Sequence, residues 1–313
     1  REAPMKPVVT LTLNPAVDAS SAADKVQAVR KVRTTNERFD PGGGGINAAR
    51  VIEELGGRAF AVYLAGGNSG NVLDDLLDEL GLVYHRVHIK EPTRVSHVVF
   101  ERSSGHEYRF TPTGPTLDER EWRSALEFLD LLDFDYLLAS GSLSPGVPED
   151  FYVRLDRLAT GKGAKLVADT SGEPLRRLLE HGAHLVKPSV GELESVVGES
   201  LREPDKLEAA AKSVVEHGRL DMMTVTLGRD GALLVTPDFT RRLPSPNVEV
   251  KSAVGSGDSF LASMTLGLAR GAGPLHAFLD GIAAGAATAM TVGTELCHRD
   301  DIRRLRRELD TMV

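Results

Sequence analysis

The sequence predicts an α/β protein, in which a mostly parallel central sheet carries helices on both faces and a small β-flap stands apart. Two observations carry this expectation. Short apolar runs alternate with amphipathic stretches along most of the 313 residues, and such alternation marks a parallel sheet whose crossovers are helices. Two segments, 20–39 and 94–110, interrupt the alternation with polar, β-leaning sequence. The length supports one large core, and no linker is long enough to divide it.

In chain order, strands are expected at 8–13, 59–64, 136–139, 165–168, 184–186 and 222–226. Apolar residues at helical spacing place helices at 46–55, 72–80, 122–132, 149–159, 173–180, 191–197, 206–216, 258–269, 274–290 and 300–309. Segment 94–110 reads as a hairpin turning at Ser103-Ser104-Gly105. With the earlier polar segment it is expected to form a flap over the ligand edge of the sheet, spanning about 19–39 and 93–112. Such a flap keeps water from a reacting ligand. Its second face is expected to carry Val98 and Phe100 and to bury them in a dimer.

Net charge is −8, without a long basic run, so neither nucleic acid nor an anionic membrane is an expected partner. The lone cysteine, Cys297, excludes an intrachain disulfide and a thiolate zinc site. The nine histidines show no zinc-binding spacing. No apolar run reaches the ~18–20 residues that span a bilayer. Residues 1–7 lack an apolar signal core. A soluble, cytoplasmic protein is expected.

The chemistry concentrates at Gly255-Ser256-Gly257-Asp258, just ahead of a helical pattern. Backbone N–H groups at a helix start lack intrahelical acceptors and carry partial positive charge. Glycines let a phosphate approach them closely. An acid in such a place suits the removal of a proton from an alcohol that attacks phosphorus. The competing reading of Asp258 is a helix N-cap.

A second glycine run, Gly42-Gly43-Gly44-Gly45, leads into a helix carrying Asn47, which can donate and accept toward a hydroxylated ligand. Gly43, Gly45 and Ala48 also fit G-x-G-x-x-A, but no strand abuts them in the dinucleotide-binding manner. No P-loop motif occurs. Asp18, with Asn14 nearby, follows the first strand and can accept from two adjacent sugar hydroxyls. Lys31, Arg33, Arg94 and Arg109 lie in the flap segments, and their convergence would hold a second, non-transferred phosphate. The segment Ser140-Gly141-Ser142 can cradle an oxyanion. Lys187 and Asp169 follow strands, Glu192 can hold Mg²⁺ through water, and Thr226 to Gly231 form a strand end and turn suited to a nucleotide.

These motifs resemble the PfkB sugar-kinase family over nearly the whole chain. Gly255-Ser256-Gly257-Asp258 is similar to its C-terminal signature, and the run at 42–45 to its N-terminal one. The resemblance implies one ribokinase-like three-layer α/β/α domain over 1–313. Within the family the likeness is to the branch that phosphorylates fructose 6-phosphate at O1 with Mg-ATP. Branches acting on fructose 1-phosphate or tagatose 6-phosphate usually place a lysine within the glycine run, where this chain has Gly44. Those substrates, with an unphosphorylated sugar or a nucleoside, remain the alternatives within the class, and a dinucleotide-dependent oxidoreductase and a catalytically silent nucleotide-binding regulator are the alternatives outside it.

The resemblance implies Asp258 as the base, with Gly255, Ser256 and Gly257 as the anion hole. Asp18, Gly43 and Asn47 would hold the sugar. Arg94 and Ser142 would hold its 6-phosphate, with Lys31 supplied by a partner subunit across a homodimer. Lys187, Ser189, Thr226 and Gly228 would serve ATP, and Glu192 would serve Mg²⁺. Backbone carbonyls near Ser252, Val254 and Gly293 would take K⁺. The chain departs from the family at Ser189, which stands for an asparagine, and at Ser256, which stands for an alanine.

Overall fold

The computed structural model describes residues 5–312, so most of the opening segment read for a signal core lies outside them. Strand β1 (Val8–Thr12) begins the main sheet, and the chain leaves it at once for β2 (Ala16–Ala23) and β3 (Thr35–Gly42). It returns through α1 (Gly44–Glu54), β4 (Ala59–Ala65), α2 (Gly67–Glu79) and β5 (Tyr84–His88). A second excursion makes β6 (Arg94–Glu101) and β7 (Glu107–Phe110). Then come α3 (Glu119–Leu131), β8 (Tyr136–Ser140), α4 (Phe151–Gly161), β9 (Lys165–Asp169), α5 (Gly172–His181) and β10 (Leu185–Val186). The remainder is α6 (Val190–Val197), α7 (Pro204–Gly218), β11 (Met222–Thr226), β12 (Ala232–Val235), β13 (Thr240–Leu243), α8 (Ser256–Ala269), α9 (Pro274–Ala289) and α10 (Arg299–Asp310).

The main sheet runs β13-β12-β11-β10-β9-β8-β1-β4-β5. It is parallel except for β12 and β13, which are antiparallel at one edge. Every residue of β1 is buried, because helices cover both faces. Val9 and Leu11 pack with Leu129, Leu155 and Leu178 of α3, α4 and α5. Val8 packs with Ile52, Leu261, Phe278 and Leu305 of α1, α8, α9 and α10. Each such side chain contributes about 1.5–3 kcal/mol on burial.

All six expected strands form. Three further strands of this sheet, β5, β12 and β13, were not anticipated. Strand β5 reads Tyr-His-Arg-Val-His, pairs on one side only and buries Val87 alone, so it lacks an apolar run. Strands β12 and β13 have four residues each and form an edge hairpin. Helix α2 starts at Gly67 rather than residue 72. Its start is tied down by tertiary bonds: Gly66 N donates to Thr93 Oγ1 at 3.0 Å, and Ser69 Oγ donates to Thr93 O at 2.6 Å.

A separate four-stranded sheet runs β3-β2-β6-β7, using the two segments that broke the alternation. Register places Asp18 beside Asp40 on one side and Ser96 on the other. Alternation then puts Val98 and Phe100 on the Asp18 side, because they lie two and four residues beyond Ser96. The other face carries Phe39, Ala19, His97 and Phe110 in one row. Phe39 and Phe110 are 53% and 58% exposed. Val98 and Phe100 therefore lie on the opposite face from these two aromatics, although Phe100 is also 44% exposed.

Candidate active site

Five adjacent parallel strands deliver side chains to one sheet edge. Asn14 follows β1, Ser140 ends β8, Asp169 ends β9, Lys187 follows β10 and Thr226 ends β11. The start of α8 meets this edge. Gly255 is its N-cap at φ 74°, a left-handed conformation that glycine adopts without penalty. Asp258 lies in the first turn, so it does not cap the helix. Its Oδ2 accepts from Asn47 Nδ2 at 2.9 Å and its Oδ1 from Ser140 Oγ at 3.2 Å. Side chains from α1 and β8 thus orient the carboxylate from both sides. A Cβ at Gly44 would come 2.0 Å from Ser140 Oγ and 2.9 Å from Asp258 Oδ1, which accounts for a glycine there.

Lys187 Nζ pairs with Asp169 Oδ2 at 2.8 Å, with the two side chains only 5% and 17% exposed. A Cβ at Gly257 would sit 3.3 Å from that ammonium, so the cation lies beside the glycines that open α8. Burial works against charge on Lys187, but Asp169, Asp258 and Glu192 outweigh it and hold its pKa above the ordinary lysine value. Burial pushes Asp169 up to about 6, opposed by Lys187 and reinforced by Asp258 and Glu192.

A second corner forms where the small sheet meets the main one. Burial raises Asp18 to about 6, Arg94 opposes the shift, and Asp40 across the β2–β3 pair reinforces it. Arg94 donates from Nη2 to Asn14 O at 2.8 Å and from Nη1 to Pro112 O at 3.0 Å. Asn14 Nδ2 donates to Thr113 O at 2.8 Å and reaches Ser142 Oγ at 3.4 Å. Arg94 Nε and Asn14 Oδ1 are buried with no partner among the described residues. Buried polar atoms are rarely left so, and this corner suits a polar ligand.

The remaining expected residues fall into two further groups. Ser189 and Glu192 form a capping box on α6, in which Glu192 Oε2 accepts from Ser189 N at 2.7 Å and from its Oγ at 2.9 Å. Serine and asparagine are both favoured N-caps, so the departure at 189 keeps the local fold. Ser189 bridges to Thr226, and Gly228 opens the following turn at φ 60°. Ser252 Oγ donates to Gly293 O at 3.0 Å and accepts from Val254 N at 3.2 Å. The Ser256 hydroxyl is buried and unpartnered among the described residues.

The flap cations do not converge within one chain. Arg94 begins β6 at the corner, but Arg109 lies on the edge strand β7 and pairs with Glu107. Lys31 and Arg33 lie exposed in the β2–β3 connection. Three residues, Thr12, Asp40 and Arg50, were given no role from the sequence, and a fourth, Ser140, was read only as part of an oxyanion cradle. Thr12 Oγ1 accepts from Ile46 N at 3.0 Å and fixes the start of α1. Ser140 holds Asp258. Asp40 accepts from Thr294 Oγ1 at 2.5 Å. Arg50 sits one turn beyond Asn47, with Nη1 3.4 Å from its Oδ1, and that helical spacing was a readable signal.

The dinucleotide alternative fails on topology, because the strand entering the glycines is β3 of the small antiparallel pair, not a strand of the parallel sheet. Among the described residues no three His, Cys, Asp or Glu side chains cluster to hold a metal. Among them, no helix is long and apolar enough to cross a membrane.

Comparison with known proteins adds to this geometry. Residues 7–301 match the model of the pfkB family carbohydrate kinases. The chain is 40% identical to the ATP-dependent 6-phosphofructokinase isozyme 2 of Mycobacterium tuberculosis, over 95% of this chain and 88% of that one. It is 30% identical to a 1-phosphofructokinase of Borreliella burgdorferi, over 95% and 96%. Phosphofructokinase-2 of Escherichia coli in complex with potassium superposes with a TM-score of 0.94 at 37% identity, covering 98% of this chain and all of that one. The same enzyme in complex with fructose 6-phosphate superposes with a TM-score of 0.92 at 36% identity and the same coverage.

Proposed function

This chain belongs to the pfkB family of carbohydrate kinases, and from that premise we infer that it phosphorylates fructose 6-phosphate at O1 with ATP, in a direct in-line transfer. The observation that carries the reading is the Asp258 carboxylate, held by Asn47 and Ser140 at the start of α8 and close to Lys187. Asp258 takes the O1 proton as the oxygen attacks. The N–H groups of Gly255, Ser256 and Gly257, together with Lys187, stabilise charge on the migrating phosphoryl. Asp18, Gly43 and Asn47 hold the sugar, and Arg94 and Ser142 its 6-phosphate. ADP release measured across fructose 6-phosphate, tagatose 6-phosphate and fructose 1-phosphate tests the substrate. A higher kcat/KM for either of the last two would overturn it.

Thr226, Gly228 and Ser189 border the nucleotide. Mg²⁺ brought with ATP neutralises phosphate oxygens. This ion keeps several waters and needs few carboxylates, so Asp169 and Glu192 are a sufficient acidic surround. Glu192 spends Oε2 on its cap, which leaves Oε1 as the oxygen that would hold a water of the ion. The loops at Ser252 and Gly293 touch through Ser252 Oγ, and backbone carbonyls there, with that of Val254, would take K⁺. The small sheet acts as a lid. Its exposed Phe39 and Phe110 support a homodimer, which would bring Lys31 to the partner's site. A cytoplasmic setting fits a reaction on phosphorylated sugars.

Arg94→Ala is expected to raise KM for fructose 6-phosphate about tenfold or more, the scale of a lost charge-assisted hydrogen bond, with kcat much less affected. An unchanged KM would remove Arg94 from the phosphate site.

Asp18 carries a pH signature. Its folded pKa of about 6 lies above its ordinary value of 3.8, so the native state binds the extra proton between those values. Stability from this group therefore falls as pH rises from about 4 to 6, and the full penalty, of order 1–3 kcal/mol, persists above that. Asp18→Asn is expected to raise Tm at pH 8, to lose that advantage near pH 4, and to raise KM for the sugar. A Tm difference independent of pH would contradict the assignment.

A further inference from the structure

At the far end of α8 from Asp258, a cleft of about 550 Å³ opens between the C-terminal ends of α1 and α8 and one face of α10. The length of α8 separates it from the catalytic carboxylate by about 18 Å, at 1.5 Å per residue. Arg270, Arg299, Arg303, Arg306 and Arg307 line the cleft against a single acid, Asp280. In a chain of net charge −8 this concentration of cations is local.

Three of these arginines have structural partners. Arg270 Nη2 and Arg299 Nε donate to Leu55 O and Glu54 O at 3.2 and 2.9 Å, satisfying the last carbonyls of α1. Arg306 Nε pairs with Asp280 at 2.7 Å. The other two are not accounted for in this way. Arg303 comes no closer than 3.8 Å to Asp300, and Arg307 makes no hydrogen bond or ion pair among the described residues. Both sit on the α10 face that also carries Arg299 and Arg306, at helical spacing. Between the cations the floor is apolar, made by Leu55, Leu266 and Ile302.

We propose that this cleft binds an organic phosphate, its apolar or aromatic body on the floor and its dianionic head held by Arg303 and Arg307. Guanidinium forks match phosphate oxygens bidentately and stack on flat rings. The volume lies in the range of small-molecule sites and exceeds what a bare phosphate fills. Asp280 and Asp310 neutralise Arg306, which leaves Arg303 and Arg307 as the cations a dianion would pair.

Equilibrium titration with phenyl phosphate tests this, with inorganic phosphate as the probe lacking the body. Wild type is expected to bind phenyl phosphate at least tenfold more tightly than inorganic phosphate. Arg303→Glu/Arg307→Glu should weaken phenyl phosphate at least about tenfold, the scale of one lost charge-assisted bond, with the Tm and the turnover of wild type retained. Arg94→Ala should leave that binding intact, which separates this cleft from the sugar-phosphate corner. The proposal is overturned if the arginine double variant binds as wild type does, if Arg94→Ala abolishes the binding, or if wild type shows none up to millimolar concentration.

Discussion

Asp258→Asn is expected to fold, to bind both substrates and to turn over about 10²–10⁴ times more slowly, the usual scale for a lost general base. The change keeps the shape of the side chain, and its surroundings can accommodate the amide. The oxygen of the new amide would accept from Asn47 Nδ2, as Asp258 Oδ2 does now at 2.9 Å. The amide nitrogen would face Ser140 Oγ, which donates to the carboxylate at 3.2 Å but can accept equally well. Both contacts survive once that hydroxyl turns round, so Tm should barely move. What disappears is the ability to take a proton from the attacking alcohol. KM values near wild type with a collapsed kcat would identify an interaction that matters in the transition state only. Turnover within a few-fold of wild type would remove Asp258 from the chemistry.

The separation of local from distant contacts explains what could be read from the sequence. The glycine runs at 42–45 and 255–257 announce themselves because backbone freedom and helix starts are local properties. The alternation of strand and helix likewise fixed six of the main-sheet strands. The partners of Asp258 could not be read, because Asn47 and Ser140 lie 211 and 118 residues away and meet it only through the sheet order. The same holds for Asp40 and Thr294, 254 residues apart. Edge strands failed for another reason. With one neighbour and little burial, β5 and β13 need no apolar pattern, so period and propensity had nothing to report. The flap cations failed through register: the sequence cannot say that Arg109 falls on the outermost strand while Arg94 falls at the hinge.

Lys187→Met is expected to abolish most activity and also to lower stability, and the two effects can be pulled apart. The ammonium is almost fully buried against Asp169. Breaking a buried ion pair by removing one partner costs up to about 3–5 kcal/mol, because the other charge is left uncompensated. Asp169 already sits near pKa 6 through burial and the charges of Asp258 and Glu192. Without Lys187 it would take up a proton at neutral pH, which caps the loss and makes the variant's stability fall as pH rises. Lys187→Met/Asp169→Asn removes the orphaned acid and should restore most of the Tm, because the remaining pair is neutral. Activity should not return. The cation lies beside Gly257, where the proposed transfer would gather phosphoryl charge, and losing such a stabiliser costs about 10²–10³ in kcat. If the double variant regained turnover along with stability, Lys187 would be a structural counter-ion to Asp169 and the phosphoryl charge would have to be met by backbone N–H groups alone.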